Sequence, residues 1–388
     1  MRTLIWGIYL VIFCLPLYLA RLDIFGIPTT VLEILIYILF AFWLSKSFKW
    51  SEFKKLFLAH YLLFIAIILI IIGVSLATIF SSDLRISAGI WKGWFLDPLL
   101  FFIILVFTIK NVKQIKGALY SLFLSGTVVA IISLIYLLQG NLNPVGRLQA
   151  FYNSPNYLAM YLASAIVISF GYYLFTFLAP PSVRGSKTFI LLSIVCLLLS
   201  IIFTQSYGAL LGIIVAIYFG LLLYLYKLKK QKLVWAVLCL GLIMILALSC
   251  FALVQRADSF NARLVIWQKA LAIFKTNPII GIGPGTFGNY FPLYPEWGVP
   301  QPHNIFLAFL LQTGIIGFIG FILLLIWFFR PSASKSQAGK LRLLLMSIMA
   351  YILVHGLADT TYWKNDLSVI FWLVVGLMAV LQNKNFGE

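Results

Sequence analysis

Apolar runs long enough to cross a bilayer recur along this chain. A bilayer core about 30 Å thick takes roughly 20 helical residues to cross. Runs of that kind lie near 3–20, 27–45, 57–80, 88–109, 117–138, 156–179, 188–204, 207–226, 233–254, 304–329, 341–357 and 366–382. The pattern predicts an all-α polytopic membrane protein with about 12 transmembrane helices, because backbone in lipid satisfies its hydrogen bonds within each segment. The longest segment left between the runs is 255–303, and no stretch remains to bury an independent soluble core. A single integral membrane domain over 1–388 is expected, with 255–303 as a large loop within it. The first run begins Met1-Arg2 and has no small-residue cleavage site, so it reads as the first helix, not a signal peptide.

Composition agrees: 63% of the 388 residues are hydrophobic, 16% aromatic and 10% charged. Those values exclude an ordinary soluble enzyme, a disordered chain and a disulfide scaffold. Cys14, Cys196, Cys239 and Cys250 fall inside the apolar runs and read as small core hydrophobes. The formal charge of +18 would suggest nucleic acid in a soluble protein. Placing alternate loops on alternate sides removes that reading. One side collects 19 basic residues, among them Lys46, Lys49, Lys54, Lys55, Lys110, Lys113, Lys116, Arg184, Lys187, Lys227, Lys229, Lys230, Lys232, Arg330, Lys335, Lys340, Arg342 and Lys384, against the acids Glu52 and Glu388. Basic loops stay in the cytoplasm. Both termini are therefore expected inside and segment 255–303 outside. Glu33, Lys92 and Asp97 lie within spans, where a charge faces the bundle interior or a cavity. They suit either a substrate or proton path or an interhelical polar clamp, and Lys92 could also snorkel to the outer interface.

Unusual polar chemistry gathers on the outer side. Ser154 can cap a helix whose first position is Pro155. That start turns a positive helix end, Asn153, Asn156 and Arg147 toward one aqueous pocket suited to an anion; a capped span beside a solvated arginine is the plainer alternative. In the long loop, Asn261 can cap a second helix that Asn277-Pro278 stops. Leu264, Trp267, Leu271 and Phe274 form its apolar stripe, and it is expected at the interface with Trp267 at headgroup depth. Arg263, one turn before Trp267, suits a phosphate or a lipid headgroup. Gly281-Ile282-Gly283-Pro284-Gly285 has no Gly-Lys-Ser/Thr ending and reads as a sharp, close-packed turn. His303 sits where a helix begins, as a neutral base or as a capping histidine. His355 and Asp359 lie on the same face, whereas His60 lies toward the cytoplasm and takes no role. No Asp-x-Asp or His/Cys cluster suggests a divalent metal, and no cofactor is expected.

Three blocks share an order. Arg147-x3-Phe151-x-Asn153-x2-Asn156-x2-Ala159 comes first. Arg263-x3-Trp267 follows, with Asn277-Pro278-x2-Gly281-x-Gly283-x-Gly285-x-Phe287. The last is Pro302-His303-Asn304-x8-Thr313-Gly314-x2-Gly317. The set resembles the signature region of the O-antigen ligase/polymerase family, over most of the chain. The resemblance implies a metal-independent membrane glycosyltransferase of the C-type fold in a bacterial inner membrane. Such enzymes move a glycan from undecaprenyl diphosphate on the outer leaflet to a glycan, lipid or protein acceptor hydroxyl. Carried onto this chain, His303 would be the general base and Arg263 and Arg147 would hold the diphosphate. Asn153, Asn156, Trp267, Asn304, Asp359 and Tyr207 would line the substrate site, with Asp359 orienting a partner. One departure stands out: Ser206-Tyr207-Gly208 lies where the family usually has Ser-Arg-Gly. Arg147, Arg256 or Lys92 would then substitute, or the donor differs, or activity is lost. Ligase and polymerase remain equally open. A secondary transporter or a membrane partner without chemistry are the readings from other classes.

Overall fold

The computed structural model describes residues 1–175, 187–255, 257–290, 301–331 and 337–383. Long apolar helices fill it: α1 (Arg2–Phe13), α2 (Val31–Ser47), α3 (Trp50–Ala59), α4 (Tyr61–Ile79), α5 (Leu84–Ile90) and α6 (Asp97–Thr108), the last two joined by a π-helical turn at Trp91–Leu96. Then come α7 (Val112–Leu138), α8 (Pro155–Phe175), α9 (Lys187–Thr204), α10 (Tyr207–Lys227) and α11 (Gln231–Gln255). The chain continues with α12 (Ala257–Thr276), α13 (Phe287–Tyr290), α14 (Ile305–Phe328), α15 (Gln337–His355) and α16 (Asn365–Gln382). Among the described residues, seven helical stretches are long and apolar enough to cross a membrane: α4, α5 through α6, α7, α10, α14, residues Ala338–His355 of α15, and α16. An eighth is reached if α2 and α3, bent by 108°, are one span. The chain is a polytopic, multi-pass α-helical membrane protein. The other predicted runs fall on shorter apolar stretches in α1, α8, α9 and α11.

Two of the predicted runs are trimmed for local reasons. Pro16 falls in a 3-10 turn at Leu15–Leu19, so α1 stops at Phe13 and not near residue 20. The second run begins in extended backbone. Arg21–Ile24 (β1) pairs antiparallel with Ile27–Thr30 (β2) around Phe25-Gly26, both at positive φ. Thr30 ends the hairpin and caps α2 in a capping box, its hydroxyl accepting from Glu33 N–H while the Glu33 carboxylate accepts from Thr30 N–H.

The bundle closes around α16, which is buried along nearly its whole length and rests on α6 and α15. Beside it α4 pairs with α14 and α10 with α15. Small residues permit the α4–α14 approach: a Cβ at Gly73 would lie 2.4 Å from the Gly317 nitrogen, and one at Gly320 2.7 Å from the Ala66 carbonyl oxygen. Such seams supply dispersion contact where lipid offers no hydrophobic drive.

The helix order sorts charge between two ends. Lys46 to Lys55, Lys110 to Lys116, Lys227 to Lys232, Arg330, Lys340 and Arg342 all lie at the α2–α3, α6–α7, α10–α11 and α14–α15 junctions. Arg184, Lys335, Lys384 and Glu388 lie outside the described residues. The opposite, polar end holds the hairpin, the starts of α8, α10, α14 and α16, and α12 with α13. Here Lys92 makes a 2.7 Å ion pair with Glu33 and donates to the Pro28 carbonyl at 2.8 Å. Asn365 donates to Glu33 and accepts from Trp94 Nε1. Glu33 and Lys92 thus form an interhelical clamp. Asp97 is buried at the start of α6.

Candidate functional site

The site assembles at the polar end from four separated segments. In the 139–154 connection, Asn143 Oδ1 accepts from the backbone N–H groups of Val145 and Arg147, which fixes the turn that presents Arg147. Arg147 Nε then donates to the Thr204 carbonyl (2.8 Å), at the α9–α10 turn, and its Nη2 to Asn156 Oδ1 (2.7 Å). Ser154 caps α8 as expected, its hydroxyl accepting from Asn156 N–H. That cap holds Asn156 in place. Asn156 Nδ2 donates to Asp359 Oδ2 (2.8 Å), and Asp359 Oδ1 meets His303 Nδ1 (3.1 Å). The result is a continuous run Arg147–Asn156–Asp359–His303.

Asp359 is the hub. Its side chain is 3% exposed against 32% for His303. Burial alone would raise its carboxyl pKa. The charge and hydrogen bond of His303, with His355 and Arg263 nearby, outweigh burial and hold the group well below the usual carboxylate range. When the His303 ring is neutral, the ionised Asp359 favours its proton on Nδ1 and leaves Nε2 as the acceptor. His303 itself has φ 47°, a left-handed conformation that costs a non-glycine residue about 1 kcal/mol or more. Asn304 holds it there, capping α14 through Phe306 and Leu307 N–H and donating to the Leu357 carbonyl. Trp267 Nε1 donates to the Pro302 carbonyl on the other flank (3.1 Å).

Arg263 reaches the same place from α12. Its Nε donates to the Ala358 carbonyl (2.8 Å), beside Asp359, and its Nη1 to Ser259. The helix that carries it starts at Ala257, one turn before the expected cap at Asn261. Ser259 and Phe260 were missed for that reason, although Asp258 in the first turn marks the earlier start. The buried flank also differs from the expected stripe. Ile266 and Ala270 are buried with Trp267, Ile273 and Phe274 beside them, while Leu264 and Leu271 are exposed. Trp267 is half-buried and packs toward α14 and the glycine turn, on which α12 docks. That turn is close-packed as predicted: Gly281, Gly283 and Gly285 all have positive φ, and Ile282 N–H donates to the Leu311 carbonyl. It wedges against a break in α14 at Gly314, itself at φ 65°.

A partly open cavity of about 380 Å³ lies against this network, lined among others by Arg147, Asn156, Tyr207, Arg263, His355 and Asp359. His303 stands behind Asp359 and is not part of the cavity wall. Asn153 is exposed and lines none of it. Lys92 is engaged with Glu33 and does not line the cavity, so of the groups offered in place of an arginine at Tyr207 it is Arg147 that lies there. Arg256 and residues 291–300 of the long loop lie outside the described residues. Among the described residues no group of three or more His, Cys, Asp or Glu side chains is arranged to hold a metal ion.

A family model described as O-antigen ligase matches residues 192–322, about a third of the chain. It takes in Tyr207, Arg263, Trp267, His303 and Asn304, while Arg147, Asn156 and Asp359 lie outside the matched stretch and join it only in space. No curated protein matches the chain.

Proposed function

From the O-antigen ligase/polymerase family to which residues 192–322 point, and the glycosyltransferase chemistry on lipid-linked glycans that it implies, we propose that this protein transfers a glycan from undecaprenyl diphosphate on the outer leaflet to an acceptor hydroxyl. In this reading about 12 helices cross a bacterial inner membrane in a C-type arrangement, both termini are cytoplasmic, and the polar end faces outward. The sorting of basic residues to one end supports that orientation.

The Arg147–Asn156–Asp359–His303 run carries the mechanism. His303 Nε2 takes the proton of the acceptor hydroxyl, whose oxygen attacks the anomeric carbon. The bond from that carbon to the diphosphate oxygen breaks, and the electron pair leaves with the diphosphate. Arg147 and Arg263 receive the developing charge from the cavity side, so the leaving group needs no metal. Asp359 holds the ring and stabilises the imidazolium that forms. In support of separate roles, Arg147, Arg263 and Asp359 line the cavity while His303 meets Asp359 without lining it. Transfer of a finished chain to a lipid or protein acceptor accords with the O-antigen ligase description of the matching family model, and joining of repeat units is the alternative within the same chemistry.

Reconstituted wild type and His303→Ala, given a radiolabelled lipid-linked glycan, test the base. Loss of transfer by about 100-fold or more is expected at an unchanged unfolding temperature. Undiminished transfer by the variant overturns the assignment.

A further inference from the structure

A second imidazole, His355, lies in the cavity wall and takes no part in the reaction described above. It ends α15, and the turn that follows carries Asp359, whose N–H donates to the His355 carbonyl at 3.0 Å. The two residues therefore hang from one piece of backbone. The ring is 2% exposed yet borders the cavity with Arg147, Tyr207 and Arg263.

One edge of this ring is spoken for. Nδ1 lies 2.8 Å from the Tyr351 hydroxyl, one helical turn back. Among the described residues that is the hydrogen bond found for the Tyr351 phenol, which is 1% exposed. A buried phenol with one acceptor in reach places its proton there, since an O–H left unmade costs more than a spare lone pair. Nδ1 is then the acceptor and Nε2 carries the imidazole proton. The Nε2 edge faces the start of α10. A Cβ at Gly208 would lie 3.0 Å from His355 Cδ2 and 3.3 Å from Nε2, and one at Gly212 would lie 3.1 Å from both His355 Cβ and Tyr351 Cδ2. Glycine at both positions leaves room for the paired rings, and Tyr207, Gly208 and His355 line the cavity together.

We infer that His355 is a substrate-binding residue whose Nε2–H, fixed by Tyr351, donates a hydrogen bond to the diphosphate held by Arg147 and Arg263. The inference rests on the donor site proposed above. A neutral, preoriented donor suits this place. It adds a directed bond to an anion beside two guanidinium groups without adding a third charge, and it loses little rotamer freedom on binding. Tyr351 is a positioning residue that acts through the tautomer.

The test uses the full chain in liposomes and undecaprenyl diphosphate as the probe, measured as an inhibitor of transfer and by direct binding. His355→Phe keeps ring volume and removes the donor. It should weaken undecaprenyl diphosphate binding about tenfold and raise the donor KM to match, with a smaller change in kcat. His355→Gln, which restores an N–H at similar reach, should recover most of that loss. Tyr351→Phe frees the tautomer and should weaken binding several-fold. A purely structural histidine would shift the unfolding temperature without rescue by glutamine. Unchanged binding in a folded His355→Phe protein overturns the inference. Should that variant not fold, unchanged binding in Tyr351→Phe overturns it instead. Failure of the parent reading looks different: wild type itself does not bind undecaprenyl diphosphate, or His303→Ala transfers normally.

Discussion

Asn156 is the test of whether the polar run works as a unit. Its side chain spends both of its functions on charged partners, accepting from Arg147 at 2.7 Å and donating to Asp359 at 2.8 Å. Asn156→Leu keeps approximate size and removes both. A hydrogen bond to a charged group contributes about 1.5–3 kcal/mol, and leaving a buried partner unmade costs a comparable amount. Arg147 and Asn156 are half-buried, so water repairs much of the arginine side; Asp359 is 2% exposed and has no such recourse. The loss of stability is therefore expected near the cost of one charged bond, about 2 kcal/mol. Asp359 still holds Thr360 N–H and His303 through Oδ1, so the carboxylate pivots and carries the imidazole with it. A shift of that kind is expected to lower kcat/KM by roughly 10- to 100-fold, because a displacement of about 1 Å at a reacting group costs up to that much. The measurement is a double-mutant cycle of Asn156→Leu with Asp359→Asn, read as transfer from a radiolabelled lipid-linked glycan in liposomes. Coupling of about 1–2 kcal/mol is expected. Additive effects within about 0.5 kcal/mol, or a wild-type rate in Asn156→Leu alone, would refute the linkage of Arg147 to His303 through this residue.

Two further outcomes concern the frame around the site. Gly281→Ala should lower stability by about 2 kcal/mol or more: its φ is +82° and the new Cβ would sit 2.5 Å from the Gly314 nitrogen and the Leu311 carbonyl oxygen. Thermal unfolding of the purified protein checks it, and an unchanged midpoint counts against the wedge between this turn and the α14 break. Glu33→Leu should destabilise by about 1–3 kcal/mol, less than for a fully buried pair because Lys92 is 22% exposed. Adding Lys92→Met should restore most of the loss, and a double variant no better than the single one would show that the pair is not what holds α2 to the π turn.

Much of this architecture was legible in the chain itself. Apolar helices, basic junctions, the cap at Ser154 and the glycine turn at Gly281 to Gly285 are properties of short stretches, whereas the cap of α14 falls to Asn304 and not to His303. Hydropathy, capping and positive φ act between near neighbours, so order along the chain reveals them. The hairpin at Arg21–Thr30 was masked by apolar residues that also suit a helix. The start of α12 was obscured by a plausible cap four residues late.

The site was legible only as an inventory. His303, Arg263, Arg147, Asn156 and Asp359 could all be named, and the resemblance assigned them provisional tasks. Which of them touch depended on helices meeting in space. His303 and Asp359 are 56 positions apart, and Asn156 and Asp359 are 203 apart. The same holds for Lys92, whose clamp partner Glu33 lies 59 positions away. Hydrogen bonds and ion pairs act over about 3 Å, so separation along the chain says nothing about them. The order of residues along the chain determined which groups face the polar end; the packing of α8, α12, α14 and the turn after α15 decided which carboxylate meets which imidazole.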